Sequence, residues 1–95
     1  MNNATWEFLK VINKDQQMAQ NVRNIINDNK SNVVKITFGL IIGMFDCKNA
    51  FVRYIHKAMR ICGYTDVAEF INDLNVKDLK KGCNIIFNGD DLIYW

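Results

Sequence analysis

Three cysteines (Cys47, Cys62, Cys83), one histidine (His56) and the adjacent acids Asp90 and Asp91 are the residues here whose types could bind a metal or attack a substrate. Their spacing argues against both. A structural zinc site draws ligands from close pairs such as C-x-x-C, and this chain has none. His56 and Cys62 fall about 120° apart around a helix, which turns them away from a shared tetrahedral centre. A thiol nucleophile needs its base within hydrogen-bond reach. Cys47 and His56 are separated by nine residues, about two and a half helical turns. Buried structural thiols are therefore expected. Asp90 and Asp91 alternate across a strand and do not converge, so they read as solvated turn residues. Gly39 and Gly43 lack a following Lys-Ser or Lys-Thr, and no G-x-G-x-x-G occurs, so no phosphate loop is present. No catalytic residue, metal or cofactor is expected, and the chain reads as non-enzymatic.

One surface feature does stand out. In the stretch DCKNAFVRYIHKAMRIC, residues 46–62, Arg53, His56, Lys57 and Arg60 recur at i, i+3, i+4, i+7, the spacing of one helical stripe. Phe51, Ile55, Ala58, Met59 and Cys62 fall on the opposite side. The stripe contains no acid, whereas a face that is merely solvated usually mixes signs in i, i+4 pairs. Tyr64 follows just beyond it, and Lys77, Lys80 and Lys81 form a second basic cluster that would extend the patch if the fold brought the two together.

The elements that must position this stripe follow from periodicity and caps. Asp46 is the expected N-cap of the basic helix, and Gly63 its stop. Residues 4–13 read as a short helix, with Thr5 as cap. Residues 15–29 form a second helix whose core stripe is Met18, Val22, Ile25 and Ile26. After a turn at 29–32, residues 33–45 open with the alternation Val34, Ile36, Phe38 against Lys35 and Thr37. That pattern, with its β-branched content, favours a buried strand. The alternative is a buried helix, in which Gly39 and Gly43 stack at i, i+4 and allow close packing. Thr65 then caps an amphipathic helix over 66–74, built on Val67, Phe70, Ile71 and Leu74. Residues 78–81 give one more turn, stopped by Gly82. Asn88-Gly89, flanked by 83–87 and 91–95, predicts a C-terminal β-hairpin. The expected fold is α+β, with three or four helices on a small antiparallel sheet made from 34–42, 83–87 and 91–95.

The bulk numbers bound the rest. Ninety-five residues, 49% hydrophobic and 23% charged, specify a single globular domain over 1–95. A formal net charge of +2 drives the chain onto neither nucleic acid nor membrane, so any basic patch acts locally. The longest apolar run, 38–45, has eight residues, against about 20 for a membrane helix. The N-terminal stretch has no basic start followed by a long apolar segment, and an odd cysteine count suits reduced thiols, so a cytoplasmic setting is expected. Enrichment in Asn, Ile and Lys suits an AT-rich genome, such as that of a phage, a virus or a low-GC bacterium.

These features point to a small binding protein, a regulator or inhibitor, phage- or virus-encoded. It would dock an acidic protein partner through Arg53, His56, Lys57 and Arg60, with Tyr64, Lys77, Lys80 and Lys81 around them. The alternative is a nucleic-acid-binding module that contacts phosphates through the same stripe. The helix-turn-helix outline of 47–62 and 66–74 does not favour base readout, because the second helix exposes Asp66, Glu69 and Asp73. A homodimer paired along the C-terminal strand edge is also expected.

Overall fold

The computed structural model describes the backbone of residues 1–86 and the side chains of residues 1–82. These residues form six α-helices: α1 (Asn3–Ile12), α2 (Gln16–Asp28), α3 (Ser31–Met44), α4 (Ala50–Cys62), α5 (Val67–Asp73) and α6 (Val76–Ile86). No strand occurs among the described residues, so the expected α+β fold is corrected to an all-helical bundle.

The reason is clearest in 33–45, expected as a strand over 34–42. Its core-facing residues are Val34 and Phe38, both fully buried, with Ile41 and Ile42 packed partly behind them. That set recurs at i, i+4, i+7, i+8, the helical period, and not at period two. Ile36, which a strand would have put on the core face beside Val34 and Phe38, is 59% exposed. The apparent alternation covers only five residues, and tertiary burial of the helical set outweighs it.

The end of the chain differs as well. Residues 83–86, expected to enter a strand, continue α6, while the Asn88-Gly89 turn and the strand at 91–95 lie outside the described residues. Gly82 does not stop α6. A Cβ built there would lie 2.5 Å from Cδ1 of Leu9, itself fully buried, so the glycine lets α6 approach α1 closely. Gly63, by contrast, acts as the expected stop. It takes φ 82° after α4, with Gly63 N–H donating to Arg60 O and Tyr64 N–H to Met59 O, the paired bonds of a Schellman motif.

Most caps lie within a few residues of expectation. Asp15 caps α2, its Oδ1 accepting from Met18 N–H at 3.1 Å. The cap of α4 is Asn49, whose Oδ1 accepts from Val52 N–H; Asp46 instead closes the preceding turn through Lys48 N–H. Asp66, not Thr65, caps α5, and Asn2, not Thr5, caps α1. Thr5 is freed for another purpose. Fully buried, its Oγ1 accepts from Asn75 N–H at 2.9 Å, joining α1 to the α5–α6 junction.

α1 is the central helix, packed most extensively on α4 and also against α6, α2 and α5, while α6 lies along α2. Phe8, Phe38 and Phe51 meet at the core with ring centroids 5.1 to 6.2 Å apart. The amphipathic stripes of α2, α4 and α5 bury Val22 and Ile26; Phe51, Ile55, Ala58 and Met59; and Phe70 and Ile71 with Leu74 just beyond.

Two stability predictions follow from these contacts. Gly82→Ala should lower the unfolding free energy by about 1 kcal/mol, because overpacking of roughly 1–3 kcal/mol exceeds the ~1 kcal/mol alanine gains in helix propensity. Chemical denaturation checks this, and a stabilised variant would show that Leu9 swings aside freely. Thr5→Val should cost about 1–2 kcal/mol by leaving the Asn75 N–H without its acceptor.

Candidate functional site

On α4, Arg53, Lys57 and Arg60 are exposed, while Phe51, Ile55, Ala58 and Met59 are buried. His56 lies at the margin, half-buried. Among the described residues, no carboxylate lies within ion-pair distance of the three exposed cations. Arg53 differs from the others in having a seat. Its guanidinium lies 5.7 Å from the ring centre of Tyr54, whose hydroxyl donates to Asp15 Oδ2 at 2.8 Å. The Met18 N–H and then the Tyr54 hydroxyl hold the Asp15 carboxyl below its ordinary value, and the same bond pushes the Tyr54 phenol up. The α2 cap therefore also anchors the base of the α4 stripe.

Ile61 is 55% exposed and sits one turn beyond Lys57 on the same side of α4. An apolar side chain thus stands in water next to the cations. Past Gly63 the surface changes sign, as Glu69 and Asp73 share a shallow concavity with Cys62 and Tyr64.

Tyr64 is less available for binding than its position in the chain suggests. Its ring packs edge-on against buried Phe70, with centroids 5.3 Å apart, and its hydroxyl donates to Asp73 Oδ2 at 2.5 Å. That hydrogen bond, more than partial burial, pushes the phenol up to about 12. Lys77, Lys80 and Lys81 are all exposed on α6, which packs on α2 and α1. Lys77 and Lys80 line a concavity with Lys30 and Ser31 at the start of α3. Nearby Lys35 is engaged at the surface, its Nζ donating to Asn72 O at the end of α5.

The thiols do not assemble. Cys47 is exposed in the turn before α4, which corrects the expectation of burial. Cys62 is half-buried, its Sγ 3.6 Å from Asn3 O, and burial pushes its thiol up. The side chain of Cys83 lies outside the described residues. Among those residues, no three His, Cys, Asp or Glu side chains cluster closely enough to hold a metal ion. No described helix is long and apolar enough to cross a membrane.

A further surface feature, missed by sequence reasoning, lies on α3. Val33, Ile36, Leu40 and Met44, with Phe45 after them, are exposed large apolar residues. The signal was present as a segment apolar at nearly every position, but only burial divides it into an inner and an outer face. Comparison of the chain with protein-family models, curated proteins and solved structures found no match.

The Tyr64–Asp73 bond predicts an alkaline stability loss. The phenol ionises at about 12 in the folded chain against an ordinary 10.0, so the stabilisation is complete below the ordinary value and is lost as pH rises through the folded one. Denaturation at rising alkaline pH should show Tyr64→Phe less alkali-sensitive than the parent. The residual slope should come from Tyr54 and the Cys62 thiol, both shifted in the same direction. Equal slopes would mean that the Tyr64 hydroxyl is not held by Asp73 in solution.

Proposed function

We propose that this chain is a small non-enzymatic protein-binding domain, a regulator or inhibitor, and that its partner presents an acidic surface to the outer face of α4. The observation that carries the reading is the stripe of Arg53, Lys57 and Arg60, exposed and in no salt bridge among the described residues, with Ile61 standing in water beside it. Cations steer an acidic partner and set its register. Binding energy in such contacts comes mainly from desolvated anchors, and Ile61, together with the stacked Arg53–Tyr54 pair, supplies candidates.

The same stripe could serve phosphates, and the setting weighs against that alternative. Phosphate binding gains from a continuous basic track. Here the surface past α4 turns to Glu69 and Asp73, and Lys77 and Lys80 gather with Lys30. A protein surface can match both signs, whereas a nucleic-acid backbone is negative throughout.

The test pairs the parent with Arg53→Glu/Lys57→Glu. Both side chains are exposed, so the fold should tolerate the change. The parent should retain an acidic protein at physiological salt that the double variant releases, and neither should retain heterogeneous DNA or RNA at low salt. Nucleic-acid binding by the parent that weakens steeply with salt and vanishes in the variant would overturn the proposal in favour of the phosphate-binding alternative.

A further inference from the structure

We infer that the outer face of α3 is a self-association surface and that its occupant is a second copy of this chain. Val33, Ile36, Leu40 and Met44 are 38%, 59%, 58% and 74% exposed, and Phe45, directly after the helix, is 50% exposed. At about 100° per residue the four helical positions fall within an arc of roughly 80°, so they form one contiguous stripe. Together they present an apolar patch on the order of 400 Å², within the range of the largest patches on ordinary monomers. Two such patches face to face would bury about 800 Å², the size of a weak, concentration-dependent contact.

The glycines make a second, separate argument. Gly39 and Gly43 lie inside α3, both are exposed, and a Cβ built on either meets nothing within 4 Å. Nothing in the protomer requires them, although glycine weakens a helix interior. Gly43 lies on the stripe, one heptad after Ile36, and Gly39 flanks it. A second backbone crossing at close range accounts for both.

Charge selects the occupant. The chain is net positive, so a face that carries cations, such as that of α4, repels its twin. The only charged residue of α3, Lys35, points away from the stripe and is bonded to Asn72 O. The face is therefore neutral and self-complementary, as an isologous two-fold contact requires. In an antiparallel pairing, Met44 of one protomer lies over Val33 and Ile36 of the other, with Gly39 and Leu40 near the crossing. This assignment uses none of the α4 residues, so failure of either reading leaves the other standing.

Analytical ultracentrifugation of the full chain, with reductant present because Cys47 is exposed, tests it. The parent should dimerise with a dissociation constant in the micromolar range. Leu40→Glu should weaken association by about a hundredfold while the dilute protein keeps its circular dichroism and melting temperature. Ile36→Gln gives an independent check should Leu40→Glu fold poorly. Gly43→Ala should raise the melting temperature of the dilute monomer and yet weaken the dimer about tenfold, because its Cβ enters open space in the protomer and the partner's backbone in the pair. A parent that stays monomeric at about 100 μM overturns the inference, as does a monomer that instead binds phosphatidylcholine–phosphatidylglycerol vesicles through Leu40. A dimer indifferent to Leu40→Glu and Ile36→Gln overturns it too.

Discussion

Contact among Phe8, Phe38 and Phe51 is the constraint from which the two exposed faces of the bundle follow. The three rings bring one helix each to a common point, α1, α3 and α4, and all three are buried. Removing such a ring costs about 3–5 kcal/mol, a large share of what holds a domain of this size together. The contact also fixes how each helix is rotated about its axis. With Phe38 turned inward, Ile36, Leu40 and Met44 must turn outward. With Phe51 and Ile55 inward, Arg53, Lys57 and Arg60 must face water. The apolar face and the basic face are thus two consequences of one core.

Hydrogen bonds at the helix ends add register to this packing. Thr5 holds the start of α6 through Asn75 N–H, while Asn2 Nδ2 donates to Asp73 O and Lys35 Nζ to Asn72 O, closing the C-terminal carbonyls of α5. α5 has only seven residues, too few to be stable alone. Its place depends on α1 and α3 reaching across to its end and on Phe70, buried under Tyr64. Asp15 works the same way elsewhere: one carboxylate caps α2 and holds Tyr54, so the α2 terminus and the Arg53 seat are a single unit.

What was legible in the chain, and what was not, follows from how many faces each helix covers. α2, α4 and α5 bury one stripe and wet the other, and their core residues, from Val22 and Ile26 to Phe70 and Leu74, could be read from spacing alone. The outward placement of Arg53, Lys57 and Arg60 was legible for the same reason. Caps slipped by one to three positions, from Asp46 to Asn49 and from Thr65 to Asp66, because several residues near each end can accept an N–H and only the final chain direction chooses among them. Gly82 misled, since a glycine that ends a helix and one that admits a neighbour are the same letter. The gathering of Lys77 and Lys80 with Lys30, and the engagement of Tyr64 and Lys35, depend on contacts between residues distant in the chain, which no local pattern carries.

The misreading of α3 has a different origin and carries more information. A helix with one buried face is amphipathic; one that is apolar all round normally has both faces covered. Within the protomer α3 covers only Val34 and Phe38 fully, and Ile41 and Ile42 in part. Among the described residues its remaining large apolar side chains stand exposed, and a Cβ on either of its glycines would meet open space. The periodicity failed as a guide because it reports every surface a segment must cover, whether its cover comes from the same chain or from another. A strand was inferred from the alternation of Val34, Ile36 and Phe38 against Lys35 and Thr37 and from the β-branched content. On the proposal that a second copy covers the outer face of α3, that face is one more face to be buried, and the helix then needs no exception to the rules that describe its neighbours.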